Sequence, residues 1–309
     1  MMTVASCSKD DTSVADNSLR FVAGLVPQTM APIESDDNGL VTNGDVSGIQ
    51  LVQGEYGSTP KFNEAGAITR VATLDGTGLL SYTGALTINT DGSTANFLAF
   101  YPAGTLTWGS GAVPATVRYA IDGTQDIIAA GRVSKTYSPS DNRVNLAFKH
   151  QLARLRFRCV CADDANGALY QGVTEAKIIV PKYVTMRIPD NGIITTTIDK
   201  PEDDTTPIEY TTLDFGTCEM SIKGEYAAKN LMIHPDVDGM GMIKDMVIYI
   251  KFAGFPDDAA RAYSINNVKL VAGKTTTITA TVSGATSLTI TASIEPWNTV
   301  DTNNDFTVE

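Results

Sequence analysis

A chain of 309 residues that is 43% hydrophobic and 19% charged holds enough apolar material for about two domains with cores of their own, and it is too apolar to be disordered. Its formal net charge of −12 excludes nucleic acid as a partner, because phosphates call for a basic surface that displaces counterions. No run approaches about 18 consecutive apolar residues, so any membrane attachment is expected through a lipid rather than a spanning helix.

The chain opens with Val4-Ala5-Ser6-Cys7, followed at once by Ser8-Lys9-Asp10-Asp11. Two small residues before a cysteine suit the cleft of a lipoprotein signal peptidase, and the thiol is the atom that accepts diacylglycerol. Cys7 is therefore expected to carry a lipid, with residues 1–17 as a flexible lipoprotein tether. A full leader adds an apolar run of about 7–15 residues before such a site. Only six residues precede Cys7, so Met1 reads as the late start of a longer precursor.

From there the dominant signal is period two: Thr, Val, Ile, Tyr and Phe runs cut by Gly, Asn, Asp and Pro clusters. Strands are expected at Ile49–Val52, Asn96–Tyr101, Thr116–Ile121, Lys177–Val180, Val184–Ile188, Ile193–Ile198, Leu231–His234 and Met246–Phe252. The clearest pattern is terminal. Ile278, Ala280 and Val282 alternate with threonines, Ser283-Gly284-Ala285 turns the chain, and Leu288, Ile290, Ala292 and Ile294 alternate with Thr and Ser, which reads as a hairpin with one buried face. No amphipathic helix of about ten residues or more is apparent. Strands at this spacing without alternating helices predict an all-β chain of antiparallel sandwiches.

Between Val144 and Cys161 the apolar residues change phase: Val144, Leu146 and Phe148 fall on even positions, and Leu155, Phe157, Cys159 and Cys161 on odd ones. One flat strand cannot bury both sets, so the pattern must break between Lys149 and Ala153, where the chain is expected to change sheets. The turn-rich Ser138-Pro139-Ser140-Asp141-Asn142 just upstream places a domain boundary near Asn142, giving domains at 18–142 and 143–309. Arg154, Arg156 and Arg158 are expected on an ordinary solvated strand face, with a docking surface as the alternative.

No catalytic or metal chemistry is expected. Cys159 and Cys161 share one strand face and cannot bridge each other. Without a CxxC or Cys/His set zinc is not expected, and neither is a structural disulfide. His150 and His234 lie in no motif, and no nucleophile carries a signature such as G-x-S-x-G. Gly273-Lys274-Thr275 has Val268 where a phosphate loop needs its first glycine, so it reads as a strand turn. Asp301-Thr302-Asn303-Asn304-Asp305 has Phe306 where a calcium loop needs glycine. The acidic pairs Asp36-Asp37, Asp163-Asp164, Asp203-Asp204 and Asp257-Asp258 read as solvated loops. Trp108, beside Gly109-Ser110-Gly111, reads as a loop residue covering a domain end, with glycan contact as the alternative.

Five segments, in order, resemble one family. Asn43-Gly44-Asp45-Val46-Ser47-Gly48-Ile49 is similar to its Gly-Asp-x-x-Gly-Ile/Val motif, and Asn96-Phe97-Leu98-Ala99-Phe100-Tyr101-Pro102 to its Phe-x-Ala-Tyr-Tyr-Pro. Gln125-Asp126-Ile127-Ile128-Ala129-Ala130 is similar to an Asp-x-Leu-x-Ala segment. Leu146 to Leu155 resembles a Leu-x-Phe-x-His-x-Leu-Ala-x-Leu strand, and Ile294-Glu295-Pro296-Trp297 a closing Ile-x-x-Trp. Together they resemble the fimbrillins and fimbrillin-like lipoproteins of Bacteroidales type V pili.

The resemblance implies two transthyretin-like β-sandwich domains in tandem, no cofactor and no enzymatic activity. It implies a surface lipoprotein of the outer membrane whose partners are other pilus subunits, joined by β-strand addition, or else a host or bacterial surface ligand. It also implies a protease that removes the first strand, here about Leu19–Val26, after an arginine. Met30 stands where that arginine is expected, and Arg20 lies near the start of the strand, so Arg20 reads as a solvent-facing residue more readily than as a processing site. Retention of the first strand would make the protein an anchor, a tip or an adhesin. The tail 298–309, rich in Thr, Asn and Asp, reads as a poor apolar donor strand.

Overall fold

A computed structural model describes residues 19–25, 46–58, 61–75, 77–109, 113–199, 207–236, 243–255, 260–284 and 287–296. In chain order the first elements are β1 (Arg20–Leu25), β2 (Val46–Gln53), β3 (Ile68–Leu74), β4 (Leu79–Tyr82), β5 (Thr94–Tyr101), β6 (Leu106–Thr107), β7 (Ala115–Ala120), β8 (Ile128–Thr136), β9 (Arg143–His150) and β10 (Ala153–Cys161). There follow α1 (Asp164–Tyr170), β11 (Val173–Pro181), β12 (Tyr183–Ile188), β13 (Thr195–Ile198), β14 (Tyr210–Asp214), β15 (Glu225–Tyr226), β16 (Leu231–Ile233), β17 (Ile243–Phe252), β18 (Arg261–Lys269), β19 (Lys274–Gly284) and β20 (Ser287–Pro296). Every strand expected from the alternation is present. The described residues are all-β apart from α1, whose seven residues fall below the length that periodicity reveals. Asp163, one of the acidic pairs, is the cap of that helix and accepts from the Asn166 N–H at 2.8 Å.

The first half of the chain closes into a barrel with strand order β1-β4-β3-β2-β5-β8-β9. Its strands bury alternate residues, as β9 does with Val144, Leu146, Phe148 and His150. In β5 both faces are covered, and Ala95 through Phe100 are all buried. A run of this kind must satisfy any polar group within it. Asn96, 1% exposed, does so: its amide nitrogen donates to the carbonyls of Gly57 at 2.9 Å and Glu55 at 3.3 Å, and its oxygen accepts from Ser134 Oγ at 2.7 Å. Asn96→Leu strands the Gly57 carbonyl and the Ser134 hydroxyl, and is expected to lower unfolding free energy by about 2–3 kcal/mol in a urea titration. Gly48, the second glycine of the first family-like segment, holds φ at +92° where β2 shifts register between Ser47 and Ile49. That left-handed conformation at a bulge is the physical need for glycine there.

The phase slip lies where the pattern demands it. β9 ends at His150 in the barrel and β10 begins at Ala153 in another sheet. The two residues between are tied by backbone bonds, Gln151 N–H to Ile127 and Gly273 N–H to Leu152, each at 2.8 Å. The latter fixes Gly273 as the turn into β19. β10 is central in the sheet of β15, β16, β10, β19 and β20, which accompanies a second sheet of order β14-β11-β17-β18. Antiparallel pairing is interrupted among the described residues at two places, where β1 runs parallel to β9 and β10 parallel to β19.

A further sheet, β13-β12-β7-β6, joins residues from either side of Asn142. Tyr183–Ile188 pairs with Ala120–Ala115 over the whole of both strands. Side chains reinforce the join: Arg118 Nε meets Asp199 Oδ2 at 2.6 Å, and its guanidinium lies 3.7 Å from the Tyr183 ring centroid. One contiguous hydrophobic core runs through both halves.

Two expectations are corrected. The arginine stripe is not an ordinary solvated face: Arg154 is buried, and Arg156 and Arg158 are half-buried. Arg154 is buried with Nε donating to Thr275 Oγ1 at 2.9 Å, Arg156 stacks at 3.8 Å on Tyr226, and Arg158 reaches the Lys223 carbonyl. Strands β15 and β16 pair with the edge of β10 in the same sheet, and the Tyr226 ring of β15 leans over Arg156, a neighbour that alternation within β10 cannot foretell. The terminal hairpin also differs from the expectation of one buried face. Ile278, Ala280 and Val282 of β19 are sealed, but Leu288 and Ile290 of β20 are only partly buried and Ile294 is 43% exposed. Among the described strands β20 is the edge of its sheet, hydrogen-bonded to β19.

Candidate functional site

The feature that the sequence singles out is β1, and the structure shows the slot that holds it. Alternation within the strand sends Leu19, Phe21 and Ala23 inward, at 5%, 1% and 0% exposure, and leaves Arg20 exposed. Phe21 packs edge-on against Tyr82 at 5.6 Å and Phe97 at 5.1 Å, the geometry that aromatic quadrupoles favour. On one side β1 pairs in parallel with β9 over six residues, Arg20 opposite Arg143 through Leu25 opposite Phe148. On the other side it meets β4 at two pairs, Phe21 opposite Leu80 and Val22 opposite Leu79. Further bonds tie the strand in: the Arg20 N–H to Asn142, the Ala23 N–H to Gly78 and the Tyr82 hydroxyl to the Leu19 carbonyl, at 3.2, 2.9 and 3.2 Å. β1 thus completes the barrel. Without it, β4 and β9 are two unpaired edges flanking an apolar slot the width of one strand.

Arg20 is the first residue of β1, its backbone in the ladder and its side chain in solvent. Cys7, Met30 and the tail 298–309 lie outside the described residues, as do the calcium-like segment and the acidic pairs at 36–37, 203–204 and 257–258. Trp108 is half-buried against the core just beyond β6.

The barrel also holds a buried imidazole–carboxyl pair that residue spacing does not reveal. His150 Nδ1 lies 2.6 Å from Asp126 Oδ2, both side chains 1% exposed, and Asp126 Oδ1 accepts from the Ile127 N–H at 2.9 Å. Burial pushes the Asp126 carboxyl above the ordinary carboxylate range, against the opposing pull of His150. A carboxylate–imidazole pair is half of a catalytic triad in outline, yet this one is sealed from any substrate. His234 is likewise buried, with Nε2 against the Thr196 carbonyl at 3.2 Å and Nδ1 accepting from the Asp236 N–H at 3.1 Å. Its pKa is lowered by that burial. Among the described residues no group of three or more His, Cys, Asp or Glu side chains is placed to hold a metal. An open cleft of about 420 Å³ lies between the barrel and the turn before β13, lined by Ala129, Gly131, Arg132, Lys149, Asn191 and Ile193 among others.

The profile of the fimbrillin-like family matches residues 31–297. The chain belongs to the fimbrillin-like family. Solved structures share its fold at low identity. A candidate cell adhesion protein from Bacteroides ovatus superposes at TM-score 0.60 with 12% identity, covering 92% of this chain and 99% of its own. One from Bacteroides uniformis gives 0.57 with 17% identity, covering 92% and 100%. A fimbrial protein from Bacteroides vulgatus gives 0.55 with 13% identity, covering 90% and 99%. No curated protein sequence matches the chain. In this fimbrillin-like protein the family-like segments become physical features: Gly48 is the bulge, Asn96 the satisfied core amide, and Asp126 with His150 the buried pair.

Proposed function

We propose that this fimbrillin-like protein is a non-enzymatic structural or accessory subunit of a cell-surface fimbria of the type V kind, assembled by β-strand addition and acting in adhesion. The observation that supports the reading is the placement of β1, an N-terminal strand inserted between β4 and β9. Release of such a strand leaves backbone donors and acceptors together with the sites of Phe21 and Ala23, and a strand from a neighbouring subunit satisfies both needs at once. In this reading Cys7 carries the lipid that holds the precursor at the outer membrane. The chain in this reading holds two transthyretin-like units, drawn from sequence as 18–142 and 143–309, with β9, β12 and β13 returned to the first.

A second reading, an unprocessed lipoprotein adhesin or anchor that binds glycan or host protein, draws on Arg20. Cleavage after Arg20 leaves Phe21 to Leu25 of β1 in the chain, so the slot stays filled. The cleft beside Arg132 and Lys149 offers such a protein a place for a ligand.

Denaturing gels of the sheared surface fraction, heated and unheated, separate the two. A high-mass ladder that collapses on boiling, with N-terminal sequencing placing the cut beyond β1, is the expected result. A single band that stays with the membrane and begins at Cys7 overturns polymerisation and favours the anchor.

A further inference from the structure

Cys159 and Cys218 are far apart in sequence and meet in the core of the second half. Cys159 points inward from β10 and is 0% exposed, directly opposite Glu225 of β15. Cys218 is 4% exposed and lies beyond β14, where it forms a two-bond bridge with Val173 at the start of β11: Val173 N–H to the Cys218 carbonyl at 2.7 Å and Cys218 N–H to the Val173 carbonyl at 3.0 Å. The Cys218 thiol points back to the Glu225 carbonyl at 3.0 Å, the very residue that faces Cys159, and the two thiols share a hydrogen bond. Cys161 is engaged elsewhere. Its sulfur sits against α1, where a Cβ added to Gly167 would lie 3.2 Å away. Cys159 belongs to the sheet of β10 and β19, whereas Cys218 is hydrogen-bonded to the sheet of β11 and β17.

We propose that Cys159 and Cys218 form a disulfide in the exported protein, stapling these two sheets across the core. The inference rests on the surface location in the reading above, since thiols that pass through an oxidising compartment cross-link when their geometry allows it. In the structure Cys159, Cys161 and Cys218 are free thiols, as the spacing leads one to expect, and the proposal concerns the oxidised form of the first and last of them.

The oxidant is a disulfide, either of a thiol oxidase or of low molecular mass, met while the sheets are closing and the thiols are still reachable. The Cys218 thiolate attacks one sulfur of that disulfide, forming a mixed disulfide and expelling the first thiol. The Cys159 sulfur, giving up its proton to solvent, then attacks the Cys218 sulfur and expels the second. Two S–H bonds are lost and one S–S bond is gained. The two electrons leave on the oxidant, which departs as two thiols. Once formed, the contact that holds the Cys159 thiol above its ordinary range, a hydrogen-bonded neighbour in a buried site, becomes the bond itself.

The test uses the full chain in two preparations, one from the cell surface and one refolded from the reduced state with glutathione disulfide. Each is denatured without reductant, alkylated and mapped by mass spectrometry. The expected result in both is an unlabelled peptide pair joining Cys159 to Cys218, lighter by two hydrogens than the reduced pair, with Cys161 alkylated. Cys161→Ala is expected to keep the cross-link, and reductant to lower the wild-type melting temperature by about 5 °C or more. A Cys159→Ser/Cys218→Ser variant loses that sensitivity. Alkylation of both cysteines in the refolded protein overturns the geometry while leaving the surface reading intact. A cross-link after refolding but free thiols in the surface preparation overturns the proposal through its premise about the compartment. Because mapping is done on wild-type protein, a variant that fails to fold does not remove the test.

Discussion

His150→Leu is expected to lower unfolding stability by about 3–5 kcal/mol near neutral pH, the loss that follows when a buried carboxyl is stripped of its hydrogen-bonded partner. The Asp126 carboxylate would keep only the Ile127 N–H, at 2.9 Å, in a site 1% exposed. The penalty belongs to the stranded carboxylate rather than to the missing imidazole, so adding Asp126→Leu is expected to return most of it. The pH dependence has a definite sign. Burial raises the folded pKa of Asp126 above its unfolded value, so the folded state holds that proton more tightly. Its contribution to stability is fully present below the ordinary carboxylate range and is lost as pH rises through the folded value. In His150→Leu no imidazole opposes the shift, so the deficit is expected to narrow between neutral pH and about pH 5. Urea titrations of the single and double variants at both pH values check this. A single variant within about 1 kcal/mol of wild type at neutral pH would mean that Asp126 is already protonated there.

Phe21→Ala is the second large effect. It empties the slot position between Tyr82 and Phe97 and is expected to lower stability by about 3–5 kcal/mol, partly through the cavity and partly through two lost edge-to-face contacts. The more informative readout is local. With its anchor gone β1 detaches before the barrel unfolds, so trypsin is expected to cut after Arg20 faster in the variant than in wild type, where that residue's backbone is held in the ladder with β9. Val22→Ala, on the outward side of the same strand, is expected to change both quantities little. If Phe21→Ala leaves stability and cleavage unchanged, β1 does not carry the closure of the barrel.

How far the fold is legible depends on where burial is one-sided. β9 can be read residue by residue because it hides one set of alternate positions, and the slip between it and β10 marks the change of sheet. β3 is unreadable because Val71 and Ile68 point to solvent, and β8 because Ala129, Ala130 and Gly131 carry too little side chain to show a period. The pairing of β10 with β15 and β16 and the meeting of Cys159 with Cys218 both depend on segments around residues 218–233, whose return no local pattern announces. His150 illustrates the limit at the site. The sequence places it on the even, inward positions of its strand, but its partner Asp126 lies in the loop before β8, in a family-like segment that announces neither its burial nor its partner. The slot of β1 was reached through the family resemblance, since the strand's own period extends over few residues.

The two parallel pairings have a mechanical consequence. When a chain is pulled by its ends, an antiparallel hairpin such as β19–β20 opens like a zipper, its rungs breaking one after another from the end where Lys274 faces Pro296. β1 and β9 run the same way, so tension between the start of one and the end of the other drags them past each other along their common axis. All six facing pairs must then slip together, and the same holds for the pairs from Arg154–Thr275 to Cys161–Val282 between β10 and β19. Resistance to force is set by the barrier to that concerted slip rather than by equilibrium stability. Under tension the molecule gives first at its outermost strand, while each half of the chain is clamped in shear by its own first strand.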